Sequence, residues 1–415
     1  MTAQRFCFLT TFYPPFNFGG DGIGIQRLAR GLARRGFEVT VVHDADAYRV
    51  LHEGRPPGPA PPDPFGVRVV TLQSRIPMVS TFLTQQVGRP VLNGRRLRHL
   101  LSDGRFDVIT FNNISLIGGP ALMSYGGAAV KVYLAHEHWL VCPTHVLWRD
   151  RHELCDRQRC FQCQLHYRRP PQLWRYSGLL ERRLRDVDAF VAMSEFSRMK
   201  HREFGFPFDM AVLPYFLPDP DPQAPGDGPS PHVRPYFLFV GRLERIKGLD
   251  DVIPLFAHFA DADLLIVGDG EYAPELRKLA AGNPRVRFVG RVPVDELGPY
   301  YRHAIAALAP SIAFETFGIT LIEAFSHETP VIARRLGPFP EIVQQSGGGE
   351  LFETPEGLLA AMRAFQASSD RREAMGRAGY EAYRSRWSES VVVPRYLEIV
   401  GQAGEHRAST ERRRG

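Results

Sequence analysis

The chain has 415 residues, of which 44% are hydrophobic, 23% charged and 11% aromatic, a globular composition that excludes a disordered or fibrous chain and is long enough for two domains. It contains no run of 18 apolar residues, so no spanning helix is expected. The net charge of +6 divides unevenly: residues 1–200 carry 27 Lys and Arg against 16 Asp and Glu, and residues 201–415 carry 24 against 29. A basic first half suits an anionic partner, whether nucleic acid, an anionic membrane surface or a phosphorylated substrate. Arg-rich codon usage accounts for the same imbalance, since Lys131, Lys200, Lys247 and Lys278 are the lysines of the chain. Met1 to Thr10 lacks the basic start and long apolar run of a signal peptide. The expected location is therefore the cytoplasm, with reduced thiols or metal ligands rather than disulfides among the five cysteines.

In chain order, Arg5 to Thr10 reads as a strand and is followed by a loop through Gly19-Gly20-Asp21-Gly22. A helix with apolar Ile25, Leu28, Ala29 and Leu32 comes next, then a strand over Phe37 to His43. This is a βαβ unit with a glycine-rich first turn. A proline-rich surface loop is expected over 54–66, strands over Val67–Leu72, Val108–Asn112 and Ala129–His136, a polar Cys- and Arg-rich insertion over about 142–186, and a strand over Asp188–Met193. Prolines crowd a linker at about 214–235. The βα pattern then restarts: strands at Tyr236–Gly241, Leu264–Val267, Val286–Val289, Ala304–Ala309 and Pro330–Ala333, and helices at Leu249–Phe259, Ala273–Ala281 and Gly318–Phe325. The fold class is thus α/β, with two doubly wound Rossmann-like domains facing a cleft. Their expected extents are 1–190 and 191–385, with a last helix over 386–402 and a disordered tail over 403–415.

Ligands of such sheets bind outside the carboxyl ends of the strands. Arg242 and Lys247 leave the sheet there, in Gly241-Arg242-Leu243-Glu244-Arg245-Ile246-Lys247-Gly248, and a guanidinium fork with an ammonium point charge suits a diphosphate. In Glu315-Thr316-Phe317-Gly318-Ile319-Thr320-Leu321-Ile322-Glu323 a helix begins near Phe317 or Gly318. Its free N–H groups and dipole form an anion site, with glycine permitting close approach. Glu315 lies before the helix and Glu323 two turns in; one carboxylate suits a ribose and the other a sugar hydroxyl. Each feature taken alone also fits a solvated surface.

Together these pieces resemble the family-4 retaining glycosyltransferases of the GT-B fold. The resemblance rests on Gly19-Gly20, Gly241-Arg242-Leu243 with Lys247-Gly248, Gly268-Asp269-Gly270, Gly290 after a strand, and Glu315 with Glu323 eight residues on. It covers roughly residues 5–390, and the segment with Trp387 is similar to the family's last helices, which cross back to the first domain. The resemblance implies transfer of a sugar from a nucleoside-diphosphate sugar to a hydroxyl acceptor (a glycan, a lipid-linked or a small molecule) with retention by front-face attack. Arg242 and Lys247 would hold the diphosphate, Glu323 the ribose and Glu315 the donor sugar, with Phe317, Gly318 and Ile319 at the same site. Gly19 and Gly20 would let the first loop approach. His136, in Ala135-His136-Glu137-His138-Trp139, would hydrogen-bond the donor sugar, and Asp21 would face the acceptor. No catalytic cofactor or metal is implied, consistent with the lack of an Asp-x-Asp motif beside the proposed diphosphate site. Ser194-Glu195-Phe196-Ser197 looks like the family's serine-containing turn. Leu213-Pro214-Tyr215-Phe216 departs from the pattern, because the family often has Asn-Gly after this proline. A non-catalytic nucleotide- or glycan-binding protein and a GT-B nucleotide-sugar epimerase are the alternatives; a zinc hydrolase is a weaker one.

Cys142, Cys155, Cys160 and Cys163 form a C-x12-C-x4-C-x2-C pattern. The spacing suits a structural Zn²⁺ held by four thiolates, with disulfides, an iron–sulfur cluster or free thiols as the other readings. Cys7 reads as core. The Arg- and aromatic-rich stretch 167–185 suits an anionic membrane surface, at the inner face, or an anionic polysaccharide; no nucleic-acid motif accompanies it.

Overall fold

The structure, a computed structural model, describes residues 4–52, 57, 63–220 and 228–414. The chain divides into two compact units: residues 1–214 with 392–415, and residues 215–391. Most of the proline-rich loop at 54–66 and the centre of the linker at 221–227 lie outside the described residues.

The first unit is built on a parallel sheet. Its strands are β1 (Arg5–Leu9), β2 (Glu38–Asp44), β3 (Arg68–Leu72), β4 (Val108–Phe111) and β5 (Val130–Ala135). After a small antiparallel hairpin, β6 (Trp148–Arg149) and β7 (Glu153–Leu154), come β8 (Ala189–Ala192) and β9 (Met210–Val212). The order across the sheet is β3-β2-β1-β4-β5-β8-β9. Its central strands are buried along almost their whole length and mostly apolar, because helices cover both faces of a parallel sheet. The second unit has β10 (Tyr236–Val240), β11 (Asp263–Val267), β12 (Val286–Gly290), β13 (Ala307–Ala309), β14 (Val331–Arg334) and β15 (Gly349–Phe352). Their order is β12-β11-β10-β13-β14-β15, again parallel. Phe237, Phe239, Leu264 and Ile266 of this sheet pack with Phe256, Leu276, Met362 and Phe365 in one core.

In each sheet the strand order reverses once beside the first strand, between β1 and β4 and between β10 and β13. Diverging crossovers leave a crevice at such a point, outside the carboxyl ends of the two strands. The loops that matter are therefore those after β1 and β4 in the first unit, and those after β10 and β13 in the second.

Several expectations need correcting. The boundary expected at 190/191 cuts β8, which pairs with β5 and β9, so the first unit runs on to Pro214. No continuous helix spans Leu249–Phe259; Pro254 has no N–H to donate and its ring clashes with the preceding turn, leaving a 3₁₀ turn over Ile253–Ala257. Residues 403–414 are not a disordered tail but continue a helix over Glu389–Arg414. Its apolar stripe, Val392, Val393, Tyr396, Ile399, Val400 and Ala403, is buried. Tyr396 Oη lies 2.6 Å from Thr110 Oγ1, and Arg407 donates to Ala129 O at 2.7 Å, pinning the helix to the first sheet. Among the described residues no helix is long and apolar enough to cross a membrane.

Candidate active site

In the second unit the loops after β10 and β13 meet. Lys247 Nζ lies 2.6 Å from Glu315 Oε1, and the buried Ser311 donates its hydroxyl to the same oxygen at 2.9 Å. Burial alone would raise the Glu315 carboxyl. The Lys247 charge and hydrogen bond, the Ser311 hydroxyl and the nearby Arg242 charge outweigh it and hold the group below its usual range. The carboxylate is therefore ionised at neutral pH, and its side chain keeps 29% exposure towards a ligand. Arg242 is half-exposed and pairs with Glu244 Oε1 at 2.7 Å.

The following helix runs over Ile319–Ser326, with Gly318 as its N-cap. Gly318 has φ of 130°, and a Cβ there would sit 2.8 Å from the Phe339 ring, so the turn that presents the helix N-terminus demands glycine. Phe317 is buried against Tyr215 and Trp387, leaving its backbone rather than its ring for a ligand. Ile319 opens the helix at partial exposure. Glu323 accepts from Tyr301 Oη at 3.1 Å.

In the first unit the loop after β1 leads into the helix Gly20–Arg34. Gly19, its N-cap, is extended at φ of −151°, a conformation any residue adopts. The steric demand falls on Gly22, where a Cβ would lie 2.4 Å from Asn17 Oδ1; Asn17 Nδ2 in turn donates to Gly19 O at 2.6 Å. Gly20 and Asp21 form the first turn. His136, just past β5, is buried, with Nε2 3.0 Å from Asn112 Oδ1 at the end of β4. Burial pushes its pKa down to about 3, so the imidazole is neutral at pH 7. With the Asn112 oxygen as acceptor, the proton sits on Nε2 and the ring is oriented by β4. Next to it, Glu137 Oε2 accepts from Asn113 Nδ2 at 3.3 Å and pairs with His145 Nδ1 at 2.6 Å, while Glu137 Oε1 is buried without a hydrogen-bond partner.

The sequence reading missed Ser311, Tyr301, Asn112 and Asn113. A usable signal was present for three of them: each polar residue falls one or two residues beyond the end of a short apolar strand flanking a reversal point. Tyr301 lies far along the chain from Glu323 and gave none. In the serine-containing turn, Ser194 Oγ accepts the Ser197 N–H at 3.0 Å and caps the helix Glu195–Glu203. Part of the Arg- and aromatic-rich stretch is interior. Trp174 is buried and donates to Gln85 O at 2.9 Å, and Arg175 stacks 4.7 Å from its ring; Leu173 and Tyr176 remain exposed. Cys7 is fully buried, as expected of a core residue.

Cys142, Cys155, Cys160 and Cys163 all line one small cavity. Their thiols are free, and three have local partners: Cys142 with Thr144 Oγ1, Cys155 with Arg157 O and Cys163 with the Asp150 N–H. Among the described residues no three His, Cys, Asp or Glu side chains already converge as metal ligands.

Residues 18–219 match the family model described as Glycosyltransferase Family 4, and residues 222–382 match Glycosyl transferases group 1. The sulfoquinovosyl transferase of Arabidopsis thaliana is 32% identical over 153 residues, 36% of this chain and 30% of its own length. The phosphatidyl-myo-inositol mannosyltransferase of Mycobacterium leprae is 35% identical over 178 residues, 40% of this chain and 47% of its own. The chain thus spans about a third to a half of the length of these relatives. Sucrose-phosphate synthase from Thermosynechococcus elongatus shares the fold, with a TM-score of 0.72 at 19% identity over 96% of this chain and 98% of that one.

Proposed function

Because the chain belongs to the family-4 glycosyltransferases of the GT-B fold, we propose that it transfers a sugar from a nucleoside-diphosphate sugar to a hydroxyl acceptor, with retention and without a catalytic metal. The observation that carries this reading is the Lys247–Glu315–Ser311 cluster at the reversal point of the second sheet. An ammonium held 2.6 Å from a carboxylate can turn part of its hydrogen-bonding capacity to a diphosphate without losing its place. Arg242 would give up the weak, exposed Glu244 pair for the same diphosphate, and the N–H groups at Gly318 and Ile319 add a dipole. Developing negative charge on the leaving group is thereby met by fixed positive groups. Glu315 would hold a donor-sugar hydroxyl and Glu323 the ribose. In the front-face step the C1–O bond to the diphosphate breaks, the acceptor oxygen bonds to C1 on the same face, and the acceptor proton passes to a leaving phosphate oxygen. No protein carboxylate is consumed as a nucleophile.

His136, being neutral, would act as a hydrogen-bonding group towards the sugar rather than as an acid. Glu137 Oε1, buried without a partner, would accept from the acceptor hydroxyl. An anionic membrane surface as the acceptor's location is supported by exposed Ile76, Met78, Val79 and Phe82 beside exposed Arg75 and Arg89, along the helix Pro77–Val87 and its ends.

A thermal-shift panel with UDP, GDP, ADP, dTDP and CMP, without metal, tests the site, because a ligand of the native state raises its melting temperature. One diphosphate should shift the transition and its monophosphate should not. Folded protein that responds to none of them would remove the donor site. A sugar product formed from the matching donor without any acceptor would favour the epimerase instead.

A further inference from the structure

The insertion of the first unit holds chemistry that sugar transfer does not use. We propose that Cys142, Cys155, Cys160 and Cys163 bind one structural Zn²⁺ as four thiolates.

The four cysteines come from three separate pieces of backbone, yet all line a single cavity of about 20 Å³. That is room for one water-sized guest, not for a substrate. Cys142 lies in the turn after Trp139, Cys155 directly follows the β6–β7 hairpin, and Cys160 and Cys163 occupy the first turn of the helix Cys160–His166. Local backbone bonds shape the first two pieces, Cys155 N to Leu147 O and Cys142 N to His138 O, each at 2.8 Å, and Tyr167 Oη donates to Trp148 O at 2.8 Å, tying the end of the cysteine helix to the hairpin. The four thiols face one shared cavity without yet standing at ligand distance from a common point, so the ion would draw them inward over a short path.

The surroundings suit the charge such a centre would carry. Zn²⁺ with four thiolates has a net charge of −2, and Arg149, Arg157 and Arg159 line the same cavity. The Asp150 N–H donates to Cys163 Sγ at 3.5 Å, a bond that becomes stronger towards a thiolate. The backbone here is also costly to hold. Of the seven non-glycine residues with positive φ among the described residues, His145, Leu147, Asp150, Arg151 and Arg168 fall in this one stretch. A metal centre supplies the constraint that a short polar insertion with little core of its own lacks.

Binding would replace three local hydrogen bonds, of Cys142, Cys155 and Cys163, by Zn–S bonds. Four thiols release four protons to solvent, four Zn–S bonds form, and nothing is oxidised or reduced. No position stays open, so the ion is structural rather than catalytic. It would also stiffen the turn from His138 to His145, which carries the His145 partner of Glu137.

The test uses full-length protein purified under reducing, anaerobic conditions and passed through EDTA. Metal analysis should give about one zinc per chain, and X-ray absorption at the zinc edge four sulfur neighbours at about 2.3 Å. The four thiols should resist a thiol reagent until a mercurial releases the zinc, and Cys7→Ser should keep the full zinc content. Protein that stays folded with no zinc after reconstitution with zinc chloride overturns the proposal. So does a mass lowered by two hydrogens per bridge, which marks disulfides, or iron with visible absorption, which marks a cluster. Cys160→Ser should lose the zinc, and if that variant fails to fold, the wild-type metal content and sulfur count still decide. None of these outcomes bears on the nucleotide-shift panel, so the two readings fail separately.

Discussion

The two reversal points are built from the same topology but from opposite electrostatics. In the second unit, charge is gathered: Lys247, Glu315 and Arg242 lie together at a partly exposed edge, and the carboxylate stays ionised because cations outweigh its burial. In the first unit, charge is suppressed: His136 is buried on Asn112 and stays neutral because nothing repays the cost of protonating it. A fixed field suits a departing diphosphate, whereas a neutral, oriented hydrogen-bonding group suits a sugar hydroxyl. The comparison can be broken first by acid. Burial lowers His43, His136 and His201 to about 4, 3 and 4. All three belong to the first unit. Below about pH 6.5 the unfolded chain takes up protons that the folded chain refuses, so stability falls as pH drops towards the folded values, by up to about 1.4 kcal/mol per histidine per pH unit. Glu315 loses stability in the same direction but in a lower window: its contribution is present above the ordinary carboxylate range and is lost as pH falls through its lowered value. Urea unfolding followed at pH 7, 6 and 5 should show the loss, partly offset by Asp44, whose carboxyl burial raises to about 7. His136→Asn should remove one histidine's share of the slope, His138 being held well below its ordinary value as well. A flat profile over this window would mean that these histidines are not held neutral by burial.

The charged half is tested by removing its cation. Lys247→Ala should lower turnover by about 10²–10³-fold, the usual loss for one preorganised group that meets transition-state charge. The effect should shrink when Glu315 is already Gln, since the two side chains share one contact and cannot act independently. Additive losses, or wild-type turnover in the single variant, would place the diphosphate elsewhere.

Both sheets except their edge strands β9 and β15 were legible in the sequence, because parallel strands buried on both faces read as short apolar runs. Arg242 and Lys247 stood out as candidate cations for the same reason, since they fall two and seven residues beyond the apolar strand β10. What could not be read were pairings set by packing between distant segments, such as Tyr301 with Glu323, or His136 with Asn112. Local rules also misled where a neighbour overrode them. The Leu249–Phe259 stretch has helical spacing but contains Pro254, and the tail after 402 has polar composition but continues a helix that Tyr396 and Arg407 anchor.

The smallest effect separates a structural role from a binding one within the first unit. Ser194 follows β8 in a segment that looks like the family's serine-containing turn, and its hydroxyl is engaged in capping the helix Glu195–Glu203. Loss of such a cap costs about 1 kcal/mol. Ser194→Ala should therefore lower stability by that amount, visible as a shift in the denaturation midpoint with an unchanged slope. Ser194→Asp should restore it, because a carboxylate caps as well as a hydroxyl and also favours the helix dipole. If Ser194 served only as a cap, turnover and KM would follow stability and return with Asp. A variant that regains its stability while KM stays raised would show that the hydroxyl also meets a ligand. The neutral character of the first unit would then extend beyond His136 to a second hydrogen-bonding group, because an anion in its place would be the one change the site does not tolerate.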